Sequence, residues 1–486
     1  MSRSQWLTIL LPLVLAAALA AFIVSNSPDT SLAIFVGAMV LIVAFLSTPA
    51  SLYILVFSML LSPEFMVGGL GGGGGASGRG ITLRFDDFLL VVIGFVWLAK
   101  MAIMKEKVPF WRTPLNGPIM AYIAAAVLAT LVGALDGRVK PMTGFFYVLK
   151  YYEYVFIYFM VVNSVTSRTQ AKRLVIASLV TCFLVSLFAI AQIPSGERAS
   201  APFEGENGEP NTLGGYLVFM MAVVTGLIMT EGAMPRRFPL LVFFATAAIG
   251  LSATLSRSSF LAAFVVFLIV LGRTVVHKPI LAPILLIVLL SAPWWAPEAV
   301  RERILYTFTQ SEVTGQMVVA GIKVDTSTSD RLRSWQTSLT WWQQFPIVGT
   351  GVTGGPFMDA MYPRVITETG TVGIAAFLFL LASIFRVGFA AYRRAADPFD
   401  RGLALGFLFG YVGVLTHAVG ANSFLIVRMM EPFWLIAALV VRGFMIESTI
   451  QSAEREVPTP SAYDGKEMRL KRPAFGKLHT VRPLNR

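Results

Sequence analysis

Ionisable residues are scarce in this chain: 14% of its 486 residues are Asp, Glu, Lys or Arg, against 56% hydrophobic, and the mean hydropathy is +0.71. That supply cannot cover the surface of a soluble globular domain, so the composition excludes one. Cysteine is nearly absent. The one thiol, Cys182, lies in an apolar run and reads as a small buried hydrophobe, which excludes an internal disulfide framework and a cysteine-based metal cluster. The three histidines are scattered too widely for a metal site, and no HExxH, Walker loop or GxSxG occurs.

Long apolar runs are what the chain has instead. Hydropathy gives about fourteen candidate spans, at roughly 7–24, 31–47, 50–62, 83–103, 117–135, 143–163, 173–193, 211–230, 238–255, 258–273, 279–296, 364–387, 402–420 and 428–446. Runs this long and uniform suit helices and not barrel strands, so the expected fold is an all-α polytopic transmembrane bundle. The first segment, Trp6–Val24, exceeds a signal-peptide core and is followed by SNSPD, so it reads as retained. Four regions follow: an N-terminal bundle (1–296), a large polar loop (297–363), C-terminal membrane helices (364–446), and a basic tail (447–486) expected to be disordered against an anionic leaflet.

The formal charge of +12 follows membrane topology and does not point to nucleic acid. Clusters at Lys100/Lys105/Lys107/Arg112, Arg168/Lys172/Arg173, Arg236/Arg237, Arg273/Lys278, Arg386/Arg393/Arg394/Arg401 and the tail all fall on one side. The positive-inside rule makes that side cytoplasmic, with both termini inside and 297–363 outside; Arg79, Arg138 and Lys140 run against the bias. Glycines 71–75 read as a flexible linker, and no internal repeat suggests a transporter of inverted halves.

The polar interval 297–363 is the one large stretch able to fold outside a bilayer. Leu332, Trp335, Leu339 and Trp342 share one face of a helix, which Ser329 or Asp330 should cap and which should lie on the membrane surface. A glycine-rich turn follows, then Asp359, which reads either as an N-cap for the short segment before Pro363 or as a functional acid, then Tyr362 and Pro363.

Charges near spans need partners or water. Lys150 and Glu153, three apart, share a helix face as an ion pair or a substrate contact, and Asp86 and Asp87 suit a helix N-terminus. Arg428 and Glu431 read as a local pair. Arg257, in TLSRSSF, stands against the positive-inside bias and reads as a fork for phosphate or as a headgroup anchor; Arg198, in the acidic loop before PNTLGGY, has the same argument with less force, since neighbouring glutamates are an alternative partner. His417 is either structural or a proton carrier.

The segments LRFDDFLLVVIGFVWL, LKYYEYVFIYFMVVNS, PNTLGGYL, TLSRSSFLAAF, RLRSWQTSL, PIVGTGVTG and ETGTVGIAAF, in that order, resemble the O-antigen ligase and Wzy-like polymerase superfamily of bacterial inner-membrane glycosyltransferases. The resemblance implies an inner-membrane enzyme with its site on the periplasmic side, taking a glycan from undecaprenyl diphosphate by inversion, without metal, cofactor or nucleotide sugar. It matches Arg198, Arg257 and Arg331 to diphosphate-binding arginines. Arg333, Tyr362, Arg364, Lys150, Glu153, His417 and Arg428 are the further expected contacts to diphosphate or glycan. Ligases of the superfamily usually carry a histidine eleven residues before the first glycine of E-x-G; here that position, counted from Gly370, is Asp359. Asp359, with Glu368 as second candidate, is then the expected base, and the substitution favours an O-antigen or exopolysaccharide polymerase whose partners are lipid-linked donor and acceptor oligosaccharides, membrane lipid, a flippase and a chain-length regulator. A ligase acting on lipid A or a protein shares the donor, and a small-solute transporter is the alternative of another class.

Overall fold

The computed structural model describes residues 39–40, 42–67, 81–103, 112–204, 208–311, 313–319 and 321–456. The expected span 7–24, most of 31–47, the glycine tract, Arg79, Lys105, Lys107 and the tail beyond 456 lie outside the described residues.

The first helices are α1 (Thr48–Leu61), α2 (Phe85–Ile103), α3 (Asn116–Leu135), α4 (Pro141–Tyr152) and α5 (Val155–Ser164). Next come α6 (Arg168–Ala191), α7 (Pro210–Thr230), α8 (Met234–Thr254), α9 (Arg257–His277), α10 (Ala282–Trp295) and α11 (Glu298–Thr309). The last four are α12 (Thr326–Gln344), α13 (Met361–Arg394), α14 (Pro398–His417) and α15 (Val427–Glu456). Two antiparallel hairpins interrupt the all-α plan: β1 (Glu64–Val67) with β2 (Ile81–Arg84), and β3 (Val318–Val319) with β4 (Ile322–Lys323).

Helix starts follow side-chain capping. Ser47, Ser167, Ser256, Asp325 and Asp397 each accept a backbone N–H of the first turn, opening α1, α6, α9, α12 and α14. Among the described residues eight helices are long and apolar enough to cross a membrane: α3, α6, α7, α8, α9, α13, α14 and α15. Two bent pairs, α4 with α5 at 40° and the α10 segment with α11 at 83°, raise the number to ten. The expected span 50–62 is α1, only 14 residues long, and α2 carries Asp86, Asp87 and Lys100 within its 19 residues. The protein is thus a multi-pass helical membrane protein. Helices α7 and α15 form its centre, each with 78% of its apolar window buried.

One break organises the rest. Inside α13, Gly370 adopts φ 61°, ψ −159°, a conformation essentially reserved for glycine, and the helix kinks there. The kink frees the carbonyls of Thr367 and Glu368, which accept from Thr350 N and Gly351 N at 2.9 Å. It also frees the N–H groups of Thr371 and Val372, which donate to Pro346 O (2.8 Å) and Ile347 O (3.0 Å). The glycine-rich turn is therefore laced into the gap in α13, satisfying buried backbone groups that a kink otherwise orphans. A Cβ on Gly349 would stand 2.6 Å from the nitrogen of Gly370, so the GTG turn and the ETG motif require each other.

The 297–363 interval differs from expectation at its helix. Asp325, not Ser329 or Asp330, caps α12, accepting from Thr328 N at 3.2 Å, and Ser329 instead turns inward to accept from Met317 N at 2.8 Å. The apolar stripe is not the side that the protein buries: Leu339 is 54% and Trp335 41% exposed, while Ser329 and Ser338 are buried. Trp335 stacks on Tyr362 and the Trp342 indole donates to Thr371 Oγ1 at 3.0 Å, so the tryptophans pin α12 to α13.

Candidate functional site

A cavity of about 810 Å³ opens between α4, the N-terminus of α7, α12, the loop before α13, the first turns of α13 and the loop after α14. It brings together Lys150, Arg331, Asp359, Arg364 and Glu368 of the expected site residues. Asp359 sits in the loop between the laced turn and the start of α13. The backbone of this loop is fixed by Asn422, whose side-chain amide donates to Met358 O at 2.8 Å, and by Met361 N donating to Ala418 O at 3.1 Å. The cap of α13 is Ala360, with no side-chain bond, so Asp359 is not a capping residue. Its carboxylate is exposed to the cavity and makes no hydrogen bond or ion pair among the described residues. Glu368 differs: it accepts from Arg364 Nε at 3.1 Å and is half-buried.

Beside Asp359 lies a group of arginines. Helix α8 ends on Leu255 in the left-handed region and α9 starts at once, capped by Ser256, which sets Arg257 on the first residue of α9. A cation there opposes the helix dipole. Arg257 donates to Asp325 (2.6 Å) and to Thr307 Oγ1 (2.8 Å). Arg198 donates to the C-terminal carbonyl of α8 at Thr254 (3.2 Å) and reaches Asn211 Oδ1 (3.5 Å), which also accepts from Ser256 Oγ (2.7 Å). Burial, then the charges of Arg303, Arg257 and Arg331, lowers Arg198 to about 10. Burial followed by Arg257 lowers Arg331 as well. For Asp325 burial works upward, but the bonds from Arg257 and Thr328 outweigh it and hold the carboxyl below its ordinary value. The electrostatics describe gathered positive charge with one committed counter-ion.

The remaining expected residues lie off the cavity. Arg333 is exposed and bonds Asp330 and Gly315 O; Tyr362 donates to Leu415 O at 2.9 Å. His417 is fully buried with Nδ1 2.7 Å from Ser423 Oγ. Glu153 pairs with Lys150 at 2.9 Å, and Lys150 also binds Asp87. Glu431 pairs with Arg84 at 3.3 Å, whereas Arg428 donates to the carbonyls of Leu60, Ser62, Pro202 and Phe203, so their partners are long-range where a local pair was expected.

Sequence reasoning missed Asn211, Asp325 and Arg303. The PN motif pointed to the first, and an acid three residues before the first turn's Thr328 N–H was a readable cap for the second. Nothing local marks Arg303, whose Nε is buried without a partner and which reaches the group only because α11 bends back at 83°.

Residues 242–376 match the family model described as O-Antigen ligase. The stretch runs from α8 to just past the kink of α13 and so contains Arg257, Asp325, Arg331, Asp359, Arg364 and Glu368, but not Arg198, Lys150 or His417. The resemblance to the O-antigen ligase and Wzy-like superfamily is thereby borne out over that stretch, and the match supports a membrane glycan-processing enzyme. No curated protein matches the chain.

Proposed function

We propose that the protein is a polysaccharide polymerase of the bacterial inner membrane. It transfers a growing glycan from undecaprenyl diphosphate to a hydroxyl of another lipid-linked repeat unit at the periplasmic face, with both termini cytoplasmic and without a metal. The observation that carries the reading is the unpaired carboxylate of Asp359 in a cavity that also receives Arg331 from the arginine group. A diphosphate is already a good leaving group, so the tasks left to the protein are to hold its charge and to orient and deprotonate the acceptor hydroxyl. Asp359, which faces the charge of Arg331 without a hydrogen bond or ion pair among the described residues, suits the base; Glu368, tied to Arg364, suits a positioning role. The reading expects cells lacking the protein to accumulate single lipid-linked repeats with no long chains. Accumulation of complete chains still on the lipid would instead favour a ligase, the second reading, for which the description of the matched family speaks.

A further inference from the structure

The two walls of the cavity differ in how their charges are used. On the α7/α12 side Arg331 lines the cavity in front of Arg198, Arg257 and Arg303, with Asp325 committed to Arg257. On the α4/α13 side three of the four lining cations have carboxylate partners, Arg364 with Glu368, Lys150 with Asp87 and Glu153, and Arg138 with Asp136, while Lys140 stands exposed at the head of α4 with no ion pair among the described residues. This second wall carries rings among the pairs. Tyr147 and Tyr151 meet edge to face at 5.9 Å, the Arg364 guanidinium lies 5.4 Å from the Tyr151 centroid and 5.6 Å from that of Phe357, and Thr143 stands one turn before Tyr147. Paired charges keep hydrogen-bonding capacity but attract no net charge, and rings offer flat apolar faces. From Thr143 to the Arg364–Glu368 pair, beyond Lys140, that combination suits a saccharide rich in hydroxyls better than an anion. The loop 353–359 runs from one wall to the other, with Phe357 against Arg364 and Asp359 near Arg331.

We infer that the wall of Thr143, Tyr147, Tyr151 and the Arg364–Glu368 pair is the acceptor subsite, built for an uncharged, hydroxyl-rich sugar. The inference rests on the transferase reading. In an inverting displacement the acceptor oxygen bonds to the anomeric carbon from the side opposite the departing oxygen, whose bond to that carbon breaks with its electron pair going to the diphosphate. The acceptor hydroxyl gives its proton to the Asp359 carboxylate. With the diphosphate on the arginine wall, the acceptor must enter from the α4 wall. Tyr147 then packs on the acceptor ring while Glu368, held by Arg364, accepts one of its hydroxyls.

Binding measured without turnover tests this. The probes are undecaprenyl diphosphate and a lipid-free oligosaccharide of repeat units cut from the cell's own polymer, each titrated into the full-length protein in detergent. Tyr147→Ala and Thr143→Val are expected to weaken the oligosaccharide about tenfold and leave undecaprenyl diphosphate within about twofold, which also shows that the variants fold. Tyr147→Phe, which keeps the ring, should restore most of the oligosaccharide affinity, and Arg257→Lys should show the reverse selectivity. Unchanged oligosaccharide binding in Tyr147→Ala, or an equal loss of both probes, would overturn the subsite. Wild-type protein that binds both probes in this pattern yet transfers nothing would overturn the transferase reading, and with it the acceptor role, and leave only a sugar-binding wall.

Discussion

Asp325 determines what Arg257 has available for a ligand. One terminal nitrogen of the guanidinium is held by Asp325 and the other by the Thr307 hydroxyl, so the fork is fixed in orientation before any substrate arrives. A preoriented fork suits two diphosphate oxygens better than a mobile ammonium does. Arg257→Lys keeps the charge and loses the second donor; we expect undecaprenyl diphosphate affinity to fall about tenfold, or about 1.4 kcal/mol, in a direct titration, with the protein still inserted and folded. An unchanged affinity would make Arg257 a structural partner of Asp325 alone. The carboxyl of Asp325 is held below its ordinary value, so it is ionised at neutral pH; its support for the fold is present above the unfolded carboxylate range and is lost as pH falls through the lowered folded value.

At the scale of elements, the kink of α13 anchors the glycine-rich turn that leads into the loop carrying Asp359 and lies just past Arg364 and Glu368. Gly370→Ala places a Cβ in a glycine-only conformation and 2.5 Å from Ile347 O, so the laced turn must shift. The expected outcome is a loss of about 1–3 kcal/mol in thermal or denaturant unfolding together with loss of transfer, whereas Gly117→Ala, with nothing within 4 Å of the new Cβ, should retain both. Much of this level was legible. Apolar runs gave most helices to within a turn, because a helix in hydrocarbon needs little beyond length and composition. Arg257 and Asp359 stood out because a charge or a departure from a motif is visible in one dimension. The α12 cap was misplaced by one turn, since Asp325, Ser329 and Asp330 are all competent caps and only the tertiary bond from Met317 N to Ser329 decides among them. The lacing of residues 346–351 into α13 and the return of Arg303 are long-range backbone events with no local signature.

Across the whole molecule, charge is divided by task. At one end Arg168 joins Asp400 at 2.8 Å and also Glu447, and Lys172 lies 3.7 Å from Asp397, tying α6, α14 and α15. Near the cavity, Arg84, Asp86, Asp87, Glu153 and Glu431 form a buried network that fixes Lys150 at the cavity wall. Of the two candidates for the base, Asp359 feels the charge of Arg331 but has no hydrogen bond or ion pair among the described residues, whereas Glu368 is held by Arg364. The most direct test gives purified Asp359→Asn protein lipid-linked repeats and follows chain-length distribution alongside undecaprenyl diphosphate affinity. The amide keeps the shape of the carboxylate but cannot take up the hydroxyl proton, so transfer should fall by about a hundredfold to ten-thousandfold while affinity stays near wild type. Long chains formed by Asp359→Asn at the wild-type rate would contradict the assignment of Asp359 as the base.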